Sequence, residues 1–182
     1  SLDLRVFERL LTDISTRFVN ASPASVDAEI TGALRLLVEC LGVDRSTLLQ
    51  WSADGRNLKI THHWVVAGYE PLPQFIPQEV LPYLFRKTLE GNPFSYSSLA
   101  ELPPEAAVDR KFLETHGPQS LLLFPLVAGE SAVGAIAFGT LRQEREWPEV
   151  LKDRLSVVAH VFANALERNR SDLALQHAYA EV

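Results

Sequence analysis

Apolar residues Leu4, Phe7, Leu11, Ile14 and Phe18 recur at alternating steps of three and four. That spacing draws one apolar stripe along a helix, with Arg5, Glu8, Arg9, Asp13 and Arg17 elsewhere on the wheel. Asn20-Ala21-Ser22-Pro23 breaks the pattern, because proline cannot continue a helix. Ser25 then offers an N-cap for a second helix, whose buried face is Ile30, Leu34, Leu37, Val38 and Leu41. Gly42 is placed to stop it. Two runs rich in β-branched and aromatic residues follow, Ser46–Trp51 and Leu58–Val66, with the turn-prone Ser52-Ala53-Asp54-Gly55-Arg56-Asn57 between them. They predict an antiparallel hairpin.

From Ala67 to Glu105 the chain is irregular and rich in proline. It predicts a short helix around Gln78–Leu89, a short edge strand at Phe94–Ser97, and a helix around Pro104–Glu114 that ends at Gly117. A second hairpin is clearer. Ser120–Val127 is nearly all apolar, Gly129-Glu130-Ser131 turns, and Ala132–Thr140 returns. Gly134 and Gly139 allow close backbone approach on the return strand. From Pro148 onward, Leu155, Ala159, Phe162, Leu166, Asn169, Leu173, Gln176 and Ala180 step by four and three. Val157, Val158 and Val161 widen the stripe before Leu166, which suits a helix packed in a core. Beyond Leu166 the stripe is narrow and polar, which suits a coiled coil leaving the domain.

No βαβ alternation occurs, so a doubly wound fold is not expected. The order predicts an α+β fold: an antiparallel sheet of about six strands, helices on one face and the irregular insert on the other. The organisation expected is a signalling helix over 1–20, a domain over 21–166, and the start of a coiled-coil linker over 167–182.

Composition narrows the function. The net charge is −6, so the basic footprint of a nucleic-acid binder is missing. No apolar run is long enough to span a bilayer, and no secretory leader is evident. The single cysteine, Cys40, excludes an internal disulfide and a Cys-based metal site, and suits a reducing, cytoplasmic setting. The chain holds no methionine and reads as a piece of a longer protein.

Leu41-Gly42-Val43-Asp44-Arg45, Gly117-Pro118-Gln119-Ser120-Leu121-Leu122-Leu123-Phe124-Pro125-Leu126 and Gly134-Ala135-Ile136-Ala137-Phe138-Gly139 together resemble a GAF domain. The likeness covers about residues 25–166. It implies that the terminal helices share one sheet face, that the insert closes a small-molecule pocket on the other, and that the domain dimerises through its terminal helices. The tail is similar to linkers that precede histidine kinase cores or the ATPase part of σ54-type activators.

The catalytic branches of that family find little here. A reductase needs pocket cysteines, and Cys40 suits a buried apolar position. An Asn-Lys-x-Phe-Asp-Glu motif and a bilin-attaching cysteine in the insert are missing. The histidines show no metal spacing, and no cofactor is required by the sequence. Asp109-Arg110 reads as an ion pair, at a pocket rim or on a helix surface.

The candidate ligand-binding residues are Trp51, His62, Trp64, Tyr83, Phe94, Tyr96, Ser120 and Phe138, each of which also suits a core. Alternation puts Ser46, Leu48 and Gln50 on one strand face and Thr47, Leu49 and Trp51 on the other. It does not say which face meets the insert. The candidate dimer seam is Leu4, Phe7, Leu11, Ile14, Phe18, Leu155, Phe162, Leu166 and Leu173. The expected function is a non-enzymatic sensor that binds a small molecule and signals through its last helix to an attached output domain. A ligand-free dimerisation module is the alternative, and a methionine sulfoxide reductase is a remote one.

Overall fold

The computed structural model describes residues 3–181. Two helices open the chain, α1 (Leu4–Asn20) and α2 (Val26–Leu41), followed by strands β1 (Arg45–Trp51), β2 (Asn57–Val65) and β3 (Phe75–Pro77). Then come α3 (Pro82–Leu89), β4 (Phe94–Tyr96), two short 3₁₀ turns, α4 (Ala107–His116), β5 (Ser120–Ala128), β6 (Ser131–Thr140) and the long α5 (Glu149–Ala180). The strands form one antiparallel sheet in the order β3-β2-β1-β6-β5-β4. The α+β architecture expected from the sequence is therefore present. No helix among the described residues is long and apolar enough to cross a membrane.

Local signals set the boundaries. Gly42 ends α2 in the left-handed region at φ 67°, which glycine adopts without a Cβ penalty. The helix expected over Gln78–Leu89 starts four residues later, at Pro82, because a proline suits a first turn and not an interior. Strand β3 has only three residues, too few for a period to show in sequence.

The sheet separates two cores. On one side α1, α2 and α5 pack on Leu48, Leu122, Phe124, Leu126, Ile136 and Phe138. On the other the insert, with α3 and α4, packs on Leu49, Leu58, Ile60, Leu121, Leu123 and Ala135. Neighbouring residues of one strand thus belong to opposite layers, as the pleat requires. Gly134 lets β6 lie close to β1, since a Cβ there would sit 1.9 Å from the Leu49 carbonyl oxygen.

The terminal helices correct one expectation. Phe7, Ile14, Phe18, Leu155 and Phe162, assigned to a dimer seam, are at most 3% exposed within the single chain. The Phe18 and Phe162 rings meet edge to face at 5.0 Å. A heptad stripe records that a helix face needs a cover and does not record whose chain supplies it. Here α1, α2 and α5 cover one another. Leu11 and Leu166 remain half-buried, and Leu4 and Leu173 are exposed. Burial in α5 ends with Ala165, and residues 170–181 are all exposed.

Candidate functional site

A cavity of about 50 Å³ lies between the sheet and the insert. Its floor is Arg45, Thr47 and Leu49 of β1, Ala137 and Gly139 of β6, and Leu121 and Leu123 of β5. The hollow exists because β6 presents only Ala135 and Ala137 beside a Gly139 covered by Pro118 on this face, while its large residues Ile136 and Phe138 point to the helices. The roof comes from the insert, with Leu81 and Leu84 at α3 and Phe112 and Leu113 of α4. Arg45 and Thr47 carry the polar side chains of an otherwise apolar wall.

Asp109 holds the roof together. It is 0% exposed. Its carboxylate accepts hydrogen bonds from the N–H groups of Tyr83 (3.1 Å) and Leu84 (2.9 Å), in the first turn of α3. A charge at a helix N-terminus meets unsatisfied donors and the positive end of the dipole. Burial pushes its carboxyl above the ordinary range, and the two N–H donors offset only part of that. The expected Asp109–Arg110 pair is not formed, since Arg110 donates to the Leu102 carbonyl at 3.1 Å. The helix was expected from Gln78, and neither its start at Pro82 nor its distant acidic cap was legible in the sequence.

The residues of Asp44-Arg45 part company. The buried Asp44 carboxylate turns to the end of β6 and accepts from the N–H of Leu141 (2.7 Å) and Arg142 (3.2 Å) and from Arg142 Nε (2.8 Å). Burial works against its charge, yet these donors hold its carboxyl below the usual range. Arg45 turns into the sheet–insert layer.

None of the eight residues expected in the pocket lines this cavity. Four lie in the insert-side core: Trp51, Tyr83, Phe94 and Tyr96. Tyr83 and Phe94 meet edge to face at 5.6 Å, and Phe94 and Tyr96 at 6.2 Å. The Trp51 indole donates to the Ala132 carbonyl at 2.8 Å. The other four lie away from it. Phe138 is in the helix-side core, and Trp64 packs against it beneath Arg35, whose guanidinium is 4.9 Å from the ring centre. His62 bonds Asp27 of α2 at 2.8 Å.

A bulge explains His62 and Trp64. Leu49 pairs with Ile60 but Leu48 pairs with His62, so Thr61 is the extra residue. Leu58 and Ile60 face the insert, and the bulge turns His62 and Trp64 to the helices. The Thr61 hydroxyl sits in the ladder gap, 2.8 Å from Gln50 Nε2. Strict alternation, applied from Leu58, gives the opposite face.

Tyr96 and Ser120 connect the cavity wall to α5. The Tyr96 hydroxyl donates to the carbonyl of Pro118, a wall residue, at 2.8 Å. The Tyr96 carbonyl accepts from the Trp147 indole at 3.1 Å, one residue before the α5 N-cap Pro148. The Ser120 hydroxyl donates to the Ser97 carbonyl at 2.6 Å and accepts from the Arg145 N–H at 2.7 Å. The Arg145 guanidinium also reaches the Leu41 carbonyl.

Cys40 packs against the helix-side core, across the sheet from the cavity. Burial pushes its thiol above the ordinary value.

The fold is similar to several solved structures. The phycocyanobilin-bound GAF domain of a cyanobacterial phytochrome matches with a TM-score of 0.78 at 17% identity, covering 94% of this chain and 98% of that one. Residues 122 to 287 of a methyl-accepting chemotaxis protein match at 0.69 and 17%, covering 86% and 96%. The free methionine-R-sulfoxide reductase of Neisseria meningitidis, in complex with its substrate, matches at 0.73 and 13%, covering 94% and 95%. At such identities the likeness speaks for the fold alone. No curated protein matches the chain in sequence. The GAF domain family model matches residues 25–168, well over half of the 182, and the chain belongs to the GAF domain family.

Proposed function

We propose that this chain is a regulatory sensor domain of a signal-transduction protein, with a small molecule held between sheet and insert and the response carried by α5. The observation that supports it most is the chain of bonds from the cavity wall through Pro118, Tyr96 and Trp147 to the start of α5. Strand β5 adds a second route. Its Leu121 and Leu123 line the cavity, while Leu122 and Phe124 lie in the core shared with α5. The cavity of about 50 Å³ is below the ~300–1,000 Å³ of ordinary ligand sites. A ligand of more than a few heavy atoms therefore displaces the insert, which gives it differential affinity for two states.

Residues 167–182 serve as the linker to an output domain, a kinase core or a transcription-activating ATPase in the same cytoplasmic protein. A homodimer is carried by what the monomer leaves uncovered, which of the expected seam is Leu4 and Leu173, with the half-buried Leu11 and Leu166. The small volume of the cavity also favours a second reading, a dimerisation module without ligand. Catalysis of the reductase type is disfavoured by Cys40, which lies on the wrong side of the sheet and is held as a thiol.

Hydrogen exchange on the Ala137→Val variant tests the sensor reading, because the added methyl groups enter the cavity from its floor. Exchange is expected to rise in the insert and also at 145–155. Trp147→Phe, which removes the indole donor, is expected to confine the change to the insert. If exchange at 145–155 ignores the filled cavity while the insert responds, the coupling to α5 is wrong.

A further inference from the structure

We propose that the cavity between sheet and insert is an anion site, taking a short-chain monocarboxylate whose carboxylate seats on Arg45 and whose alkyl tail lies against the apolar wall. This rests on the ligand-binding part of the sensor reading and names the class of ligand.

Arg45 is 7% exposed and sits in the wall of the cavity. Its guanidinium carries five N–H donors and is always charged. It has one hydrogen bond, a long one of 3.4 Å to the His116 carbonyl. Among the described residues no carboxylate forms an ion pair with it. Its sequence neighbour Asp44 is turned the other way and is satisfied by Arg142 and two N–H groups. The carbonyl end of α4 gives partial compensation through its dipole, and the other N–H donors have no protein acceptor among the described residues but keep some accessible surface. Buried charges are ordinarily paired, and burial here already works against the charged form.

Across the β1–β6 ladder Arg45 lies opposite Gly139, over which the Pro118 ring packs in place of a β6 side chain. The volume, about 50 Å³, is a third of a cavity of ~150 Å³ that holds benzene. Butyrate has the six heavy atoms of benzene, so a carboxylate of that length enters only as the insert gives way, as the sensor reading requires. A guanidinium with a planar fork matches a carboxylate in two parallel bonds. Thr47 adds a hydroxyl on the same wall. The remaining wall is apolar, which fits an alkyl tail and disfavours a polyol or a sugar phosphate.

The test uses the 182-residue chain with sodium butyrate as the probe, butyramide as its neutral twin, and sodium chloride at equal ionic strength. Melting midpoints, calorimetric titration and hydrogen exchange are read together. Butyrate is expected to raise the midpoint by a few degrees, growing with the logarithm of its concentration, to saturate in the calorimetric titration, and to bind at least ~10-fold tighter than butyramide. Arg45→Gln and Ala137→Val are each expected to remove the response. The second keeps the charge and only fills the cavity, so it serves if the first does not fold. Equal binding of butyrate and butyramide overturns the anion site and leaves an apolar pocket. The absence of binding by butyrate overturns it as well, and makes Arg45 a cap for α4. Tight butyrate binding with unchanged exchange at 145–155 upholds the anion site and sinks the sensor reading instead.

Discussion

The Asp109 carboxylate accepts the N–H of Leu84 at 2.9 Å, joining two insert helices across twenty-five residues of chain. Removing it leaves one buried and one half-buried donor at the start of α3, Leu84 and Tyr83, without their acceptor. Asp109→Ala is expected to lower the unfolding free energy by about 1–3 kcal/mol, the cost of such orphaned groups. Urea denaturation measures it, and a loss under about 0.5 kcal/mol would contradict the staple.

The same residue sets a pH trend. Its folded value is raised above the ordinary 3.8, so the folded state holds the proton more strongly. Its contribution is full below 3.8 and fades as pH rises through the raised folded value. Asp44 acts in the opposite sense, with a folded value below 3.8. Its contribution is present above 3.8 and is lost as pH falls through the lowered value. Denaturant midpoints against pH should therefore lose their acid-side fall in Asp44→Asn, and their decline just above 3.8 in Asp109→Asn. Matching profiles for the two variants would refute the assignment.

Gly134 admits no side chain, because a Cβ would stand 1.9 Å from a carbonyl oxygen of β1. Backbone cannot yield as a flexible side chain can. Gly134→Ala is expected to unfold the domain or cost at least about 3 kcal/mol, at the upper end of point-mutation effects. Soluble yield and circular dichroism give the answer, and a native-like melt would show the strands less constrained than described.

Ser46 is 0% exposed and its hydroxyl has no partner. An unpaired buried hydroxyl is a cost, so Ser46→Ala is expected to leave stability unchanged or raise it by about 1 kcal/mol. A clear destabilisation would reveal a bond made to that hydroxyl in solution.

The long helix divides at Ala165. Phe162→Asp places a charge where the residue is 0% exposed and should unfold the domain. Leu173 is 40% exposed, so Leu173→Asp should leave the melting midpoint within about a degree. Sedimentation at several concentrations then reports whether Leu173 supports self-association. An unchanged dimer in Leu173→Asp removes that residue from the proposed interface.

Periodicity by itself determined the helices, the two hairpins, the stop at Gly42 and the two-layer α+β plan. These depend on local spacing and on residues that restrict the backbone, which a chain carries wherever it folds. The cavity was not legible. It needs Ala135, Ala137 and Gly139 to face a distant insert, and the sequence offers only a stripe of small residues on a strand. His62 and Trp64 went to the helix face because one extra residue, Thr61, shifted the pleat. Such a bulge has no local signature. The heptads of α1 and α5 marked faces that needed covering, and tertiary structure decided that Phe7, Ile14, Phe18, Leu155 and Phe162 are covered within one chain. Asp44 and Arg45 are adjacent in sequence and both buried, yet the turn into β1 gave the first a clamp on Arg142 and left the second without an ion-pair partner. Which neighbour would keep its partner depended on Arg142, nearly a hundred residues away.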